Sequence, residues 1–203
     1  MIAVVDYGLG NVHAFVNIYR RLDVPVMTAT APEHLYSADR IILPGVGAFD
    51  WALTRLNGSG MRQALEDCAD KGKPILGVCV GMQLMARRSE EGNLSGLDLI
   101  GGEVKKFDAS TWVQKTKLPH MGWNDIRTRK SNGLFDDLDS DARFYFLHSY
   151  YFAPDNQEDV LAETDYNGVF ASSVQSGNVC GVQFHPEKSH AWGIRLLRNF
   201  AEL

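Results

Sequence analysis

The chain contains few cysteines, three in 203 residues, at positions 68, 79 and 180. An odd and sparse set does not form the disulfide framework of a small secreted protein and is typical of the reducing cytoplasm. The sequence has no Cys-x-x-Cys pair and no His-Glu-x-x-His run, which are common spacings of zinc ligands. We therefore predict a cytoplasmic protein that holds no metal and no other cofactor.

Long apolar runs and long basic runs are also absent. The longest apolar stretches have the length of a strand, well short of the roughly 20 residues that cross a bilayer. The first six residues lack the basic start of a signal peptide. The formal net charge is −5, from 20 Lys and Arg against 25 Asp and Glu. These features argue against a membrane or a nucleic acid as the main partner.

Alternating strand and helix patterns are present in the first half of the chain. The predicted strands are 2–6, 24–28, 40–43 and 75–78, and the predicted helices are 11–22, 48–56, 61–70 and 82–88. Residues 101–183 resemble short strands joined by Gly, Asn and Asp turns, and a last helix is predicted over 190–201. The pattern predicts one α/β domain over 1–203, with a mostly parallel central sheet flanked by helices and extra antiparallel strands in its second half.

Cys79 stands at the apex of a strand–turn–helix pattern. The turn Gly77-Val78-Cys79-Val80-Gly81 follows the apolar run Pro74-Ile75-Leu76 and precedes the predicted helix 82–88. This arrangement is the nucleophile elbow, with Cys in place of Ser, and a helix N-terminus behind the thiol favours the thiolate. A single cysteine is usually a small core residue, and we interpret Cys68 and Cys180, which lack such a turn, as buried and inert thiols.

His185 and Glu187 follow another apolar strand pattern, over 179–184. Because ligands of parallel sheets bind beyond the carboxyl ends of the strands, Cys79 and His185 are expected to meet. His185 would take the thiol proton and give it to a leaving amine, while Glu187 would orient the imidazole. Taken singly, the histidine and the glutamate could be a strand-end residue and a solvated carboxylate, but together with the elbow they predict a catalytic triad.

Pro44-Gly45-Val46-Gly47 is a second glycine turn at the end of a predicted strand. By itself it could be only a tight turn before a helix. Beside an elbow, the backbone N–H groups of Gly45, Val46 and Gly47 become candidates, with the N–H of Val80, for stabilising the oxyanion that forms when Cys79 attacks.

The motifs as a set resemble the class I, triad-type glutamine amidotransferases. Within that class they are most similar to the glutaminase subunits of imidazole glycerol phosphate synthases. The matching stretches span the whole chain in the family's order: Asp6-Tyr7-Gly8-x-Gly10-Asn11, Pro44-Gly45-Val46-Gly47-Ala48-Phe49, Gly77-Val78-Cys79-Val80-Gly81-Met82-Gln83, Ser89-Glu90-Glu91-Gly92, Pro119-His120-Met121-Gly122-Trp123-Asn124, Tyr145-Phe146-Leu147-His148-Ser149-Tyr150 and Gln183-Phe184-His185-Pro186-Glu187-Lys188-Ser189.

The resemblance implies that L-glutamine is hydrolysed through a thioester on Cys79. The ammonia would pass to a (β/α)8-barrel cyclase subunit, the partner in a heterodimer that makes imidazole glycerol phosphate for histidine biosynthesis. It also implies that Gln83 and the backbone of His148, Ser149 and Tyr150 line the glutamine pocket. The residues implied to face the partner are Asn11, Trp123, Tyr145 and Lys188.

Other interpretations of some residues remain open at this point. Trp123 and Tyr145 could be core aromatics, Lys188 could be a solvated charge, and His120 and His148 are interpreted as hydrogen-bonded fold residues. Ser189-His190-Ala191-Trp192-Gly193 differs from the common family ending and resembles paralogues that supply ammonia to a sugar-amidating system of surface polysaccharides. A stand-alone cysteine hydrolase of γ-glutamyl or peptide bonds and a non-catalytic binding module are the remaining alternatives.

Overall fold

An eight-stranded sheet forms the centre of the chain in a computed structural model, which describes residues 1–112, 116–131 and 133–203. In spatial order its strands are β2 (Val26–Ala29), β1 (Ile2–Val5), β3 (Arg40–Gly45), β4 (Ile75–Cys79), β13 (Val179–Val182), β12 (Val169–Ser176), β11 (Val160–Asp165) and β8 (Arg127–Thr128). The first five strands pair in parallel and the last three pair antiparallel. The predicted mixed sheet is confirmed.

Six helices accompany the strands in the part of the chain that the structure describes: α1 (Val12–Arg21), α2 (Pro32–Ser37), α3 (Phe49–Gly58), α4 (Met61–Asp70), α5 (Val80–Gln83) and α6 (His190–Glu202). The apolar stripe of α1 buries Phe15, Val16 and Tyr19. The Tyr19 hydroxyl donates a 2.9 Å hydrogen bond to the Leu197 carbonyl on α6, which joins these two helices. No helix among the described residues is long and apolar enough to cross a membrane.

Two smaller sheets among the described residues come mostly from the second half of the chain. One contains β10 (Tyr150–Pro154), β6 (Gly102–Lys106) and β5 (Arg88–Ser89), and the other pairs β7 (His120–Asp125) with β9 (Arg143–His148). Aromatic rings fill the space between them and the large sheet, with Phe170 in edge contact with both Phe107 and Phe146. This aromatic layer forms the core between the large sheet and the two smaller sheets.

The predicted helix over 82–88 is wrong. The helix behind Cys79 is the single turn α5, and Arg88 already belongs to a strand. The reason is a long-range competition for the carbonyls that a longer helix would use. Those of Leu84 and Met85 accept hydrogen bonds from residues 97, 99 and 100, and that of Arg87 accepts one from Gly96. The one-turn helix α5 offers a much weaker dipole than the sequence suggested.

Candidate active site

Cys79 ends β4 in a strained backbone conformation. Its φ is +56°, a left-handed value that costs a non-glycine residue about 1–3 kcal/mol and is typical of functional sites. The glycines on either side permit the turn, because a Cβ at Gly77 would lie 2.8 Å from the Gly81 carbonyl oxygen and one at Gly81 would clash with the Leu43 carbonyl. The predicted elbow is therefore present.

His185 and Glu187 lie beside the elbow. Because β13 and β4 are parallel neighbours, with Val182 opposite Val78, the residues that follow them meet at one edge of the sheet. The His185 imidazole and the Cys79 thiol line one cavity, and the interaction between them raises the pKa of His185. The His185 Nδ1 atom lies 2.9 Å from Glu187 Oε1, and both side chains are 3% exposed. The three predicted triad residues are brought together.

The charge state of His185 follows from these two contacts. Burial lowers the pKa of His185, but its interactions with Cys79 and with the Glu187 carboxylate outweigh burial and raise this pKa above its ordinary value. A raised pKa favours the imidazolium form of His185 beside Cys79. His185, rather than a long helix, therefore places a positive charge next to the nucleophile.

Two amide side chains lie behind the thiol. Gln183 Nε2 is 3.8 Å from Cys79 Sγ, and the Gln183 Oε1 atom accepts a 3.0 Å hydrogen bond from Gln83 Nε2. Gln83 Nε2 also donates to the Tyr150 carbonyl, at 3.1 Å. The predicted pocket residue Gln83 therefore connects the nucleophile to the chain segment 148–150.

A cavity of about 300 Å³ opens in front of Cys79, a volume at the small end of ligand pockets. Ten of the residues predicted from sequence line it, and they are Val46, Gly47, Cys79, Val80, Gln83, His148, Ser149, Tyr150, His185 and Lys188. Glu187 lies behind His185. This cavity gathers the elbow, the imidazole and the predicted glutamine-binding segment around one space.

The glycine turn after β3 borders the same cavity. Gly45 is paired with Cys79 in the sheet, and a Cβ there would lie 2.5 Å from the Gly81 nitrogen. Gly47 has a φ of +89°, a value that favours glycine. The Tyr7 hydroxyl donates a 2.8 Å hydrogen bond to the Pro44 carbonyl and holds the turn from behind. The turn thus lies next to the nucleophile, and its role in stabilising an oxyanion stays a prediction.

Comparison with known proteins decides the family. A family model described as glutamine amidotransferase class-I matches residues 3–203. The chain belongs to this family. It is 52% identical to imidazole glycerol phosphate synthase subunit HisH of Bdellovibrio bacteriovorus and 46% identical to the subunit of the same name from Leptospira interrogans, each over 204 residues that cover 100% of both chains. A crystal structure of a glutamine amidotransferase, at 19% identity, shares its fold with a TM-score of 0.74 over 100% of this chain and 98% of that one.

Sequence reasoning missed Glu91, which lines the cavity of this class-I amidotransferase. Its Oε2 accepts a 2.8 Å hydrogen bond from the Phe49 N–H at the start of α3. The Ser-Glu-Glu-Gly stretch was part of the family resemblance, but nothing in its spacing shows that the second glutamate turns toward the nucleophile. The pairing with Phe49, 42 residues away, is a product of the fold.

Of the residues predicted to face a partner of the amidotransferase, Lys188 lines the cavity, and ring contacts connect Tyr145 and Trp123 to it. Trp123 on β7 is 38% exposed and contacts Tyr145, its neighbour on β9. Lys188 lies 5.8 Å above the Tyr145 ring and also lines the cavity. Asn11 is exposed before α1, a helix that contacts the turn Pro186–Lys188. Met121, at 64% exposure, extends this surface and was not predicted.

Two other predictions concern residues outside the triad. Cys68 and Cys180 are buried, as expected, and burial raises the pKa of the Cys180 thiol to about 12. His120 and His148 are hydrogen-bonded to each other in the interior, which confirms their interpretation as hydrogen-bonded residues of the fold.

Proposed function

We propose that this chain is the glutaminase subunit of an imidazole glycerol phosphate synthase. It hydrolyses L-glutamine to glutamate and ammonia and passes the ammonia to a (β/α)8-barrel cyclase subunit in histidine biosynthesis. The observation that carries the proposal is the buried Cys79–His185–Glu187 set at the edge of the 300 Å³ cavity. The full-length identity of 52% to a HisH subunit supports the same conclusion. Residues 1–203 would act as one amidotransferase domain.

The chemistry begins with the Cys79–His185 pair. The thiolate attacks the amide carbon of the glutamine side chain, and the backbone N–H groups of Val80 and of the 45–47 turn stabilise the oxyanion. His185 gives its proton to the leaving nitrogen, so ammonia departs and a γ-glutamyl thioester remains on Cys79. His185 then takes a proton from water, which attacks the thioester and releases glutamate. Glu187 keeps the imidazole oriented in both steps.

Glutamine recognition needs groups for its charged end as well as for its amide. Glu91 is the carboxylate that lines the cavity outside the triad, and it suits the α-ammonium of the substrate. Gln83 and the backbone of His148, Ser149 and Tyr150 form the wall on the other side. This arrangement would select a free amino acid over a peptide-bound glutamine.

The exposed surface at the cavity mouth would face the cyclase. Trp123, Tyr145 and Lys188 join it to the cavity, and Asn11 extends it toward α1. Aromatic and long side chains with exposed apolar area are typical of interfaces. A reducing cytoplasm fits the three free cysteines, and the acidic net charge fits a partner other than nucleic acid.

Reconstitution with the cyclase subunit encoded in the same genome tests the proposal. We expect glutamine and the cyclase substrate to give glutamate and imidazole glycerol phosphate in equal amounts. Glutamate formation that is fast alone and unaffected by the cyclase would instead favour a stand-alone hydrolase. Failure to act with this cyclase, combined with activity beside a sugar-amidating enzyme, would favour the surface-polysaccharide paralogue, which the names of the two relatives argue against.

A further inference from the structure

Two buried histidines outside the triad face each other across the β7–β9 sheet. His120 pairs with His148 in the strand register, and they are 2% and 6% exposed. The His120 ring is stacked between Phe146, at 4.6 Å, and Tyr166, at 3.9 Å between centroids. The proposed chemistry gives neither imidazole a step, yet their nitrogens are all engaged in hydrogen bonds.

The hydrogen bonds define one tautomer for each ring. The Tyr150 carbonyl can only accept, so His148 Nδ1, 2.8 Å away, carries a hydrogen. Burial lowers the pKa of His148 to about 3 and that of His120 to about 4, so both rings are neutral. His148 Nε2 is therefore an acceptor, and His120 Nδ1, at 2.9 Å, donates to it. His120 Nε2 in turn accepts from the Asn124 side-chain amide at 3.2 Å.

From His148, the series of hydrogen bonds leads to the nucleophile Cys79. The Tyr150 carbonyl accepts from His148 Nδ1 and from Gln83 Nε2, so its two lone pairs are both used. Gln83 also donates to Gln183, whose amide lies 3.8 Å from Cys79 Sγ. All the side chains along this path are buried. The position of the cavity wall at residue 150 thus depends on the two imidazoles.

The upstream end lies on the strand that carries the exposed surface. Side chains of a strand alternate between its two faces, and β7 follows this rule. Met121 and Trp123 point to solvent, whereas His120 and Asn124 lie on the other face. Contacts on the exposed face of β7 that shift this strand would therefore also move His120 and Asn124, where the series of hydrogen bonds begins.

We propose that His120 and His148 are positioning residues that hold the Tyr150 carbonyl and Gln83 in register with Cys79 and connect the exposed strand β7 to the glutamine pocket. The proposal rests on the glutaminase function proposed above and adds two residues that act through others. We expect these two residues to affect the binding of glutamine, because residues 148–150 line the cavity in which the substrate would bind.

His120→Phe removes both hydrogen bonds of this ring and keeps its aromatic stacking. In the complex with the cyclase, we expect the KM for glutamine to rise about tenfold with a smaller change in kcat, since a buried acceptor on His148 is left unpaired. His120→Asn restores a donor near the position of Nδ1 and should recover most of the loss. Ammonia-dependent synthesis by the cyclase should stay unchanged in both variants.

Phe170→Leu is the matched control. Phe170 contacts the rings of both histidines, at 5.9 and 5.2 Å, but makes no hydrogen bond to either ring. We expect it to lower Tm as much as His120→Phe does and to leave the KM for glutamine unchanged. An equal rise of KM in Phe170→Leu, or an unchanged KM in His120→Phe, overturns the proposal.

Nitrogen-15 NMR of the imidazoles in the unmodified chain gives a test that does not depend on activity or on a variant that folds. At neutral pH, both His120 and His148 should carry their hydrogen on Nδ1. An Nε2-protonated or charged form of either ring overturns the proposal. If the wild-type complex turns over no glutamine, the glutaminase function fails; normal turnover with an unchanged KM in His120→Phe refutes the positioning role alone.

Discussion

At the scale of single residues, the reacting atoms depend on one buried carboxylate. Glu187 Oε1 is 2.9 Å from His185 Nδ1, and its charge helps to raise the pKa of that imidazole. Replacing the carboxylate by an amide keeps the size of the side chain and removes the charge. The His185 pKa should then fall, and the imidazole should lose the charged partner that orients it.

For Glu187→Gln we therefore expect kcat for glutamine hydrolysis to drop by about 10²-fold or more, because other triads lose still more when the acid becomes an amide. Steady-state kinetics of the complex with the cyclase gives the value. The KM should change little, since Glu187 lies behind His185 and does not line the cavity. A kcat within a few-fold of wild type would show that Glu187 does not support His185.

Glu91 is the second carboxylate to test. Its replacement should change the KM for glutamine and leave kcat unchanged, the opposite of what we expect for Glu187. In Glu91→Gln the amide oxygen can still accept from the Phe49 N–H, but the charge for the substrate ammonium is gone. We expect the KM for glutamine to rise about 10- to 100-fold, which corresponds to the loss of a hydrogen bond to a charged group. The kcat should stay near that of wild type. An unchanged KM would remove Glu91 from the binding site.

At the scale of elements, the β7–β9 pair carries two histidines that stay neutral when folded. The pKa is about 4 for His120 and about 3 for His148 in the folded chain, against an ordinary value of 6.5. Between pH 6.5 and about 4 the unfolded chain binds more protons at these sites than the native chain, so stability falls as the pH falls. His185, whose pKa is raised, contributes its stability fully below pH 6.5 and adds no slope in this window.

Each of the two histidines should contribute about 1.4 kcal/mol per pH unit in this window. We expect the free energy of unfolding to be about 4 kcal/mol lower at pH 5 than at pH 7, as measured by urea denaturation. In His120→Phe the decrease should be about half as large, because one of the two sites is removed. Equal stability at the two pH values would mean that the imidazoles are not held neutral.

Elements also show how far the sequence alone could lead. The parallel strands were predicted because each is a short apolar run followed by a turn, and the last helix because its apolar stripe is regular. The helix over 82–88 failed because residues 96–100 compete for its carbonyls. The helix α2 (Pro32–Ser37) was not predicted at all, since six residues give too short a pattern.

The same limit applies to the candidate site. Cys79 and His185 could be predicted to lie close together, because each follows a short parallel strand and the carboxyl ends of such strands meet at one edge of the sheet. Glu187 could be predicted because it is only two residues from His185. The contacts of Glu91 with Phe49 and of His120 with His148 join residues 42 and 28 positions apart, and they depend on strand and loop pairings that no local motif contains.

At the scale of the whole molecule, two parts of the chain meet at one cavity. The parallel strands of the large sheet supply the nucleophile, the imidazole and the glycine turn at the carboxyl ends of β3, β4 and β13. The smaller sheets supply the cavity wall at 148–150 and the exposed residues of β7. Because Leu147 lines the cavity and is also exposed, the proposed site for glutamine and the proposed surface for the partner are continuous.

The central claim is that Cys79 produces ammonia for a partner that itself needs only ammonia. Cys79→Ala, assayed in the complex with the cyclase, measures both halves of that claim. Glutamine-dependent synthesis of imidazole glycerol phosphate should fall by several orders of magnitude, because the covalent nucleophile is lost, while synthesis from added ammonium salt should continue at the wild-type rate. Glutamine-dependent synthesis within about tenfold of wild type, or loss of the ammonia-dependent reaction in a complex that still assembles, would contradict the claim.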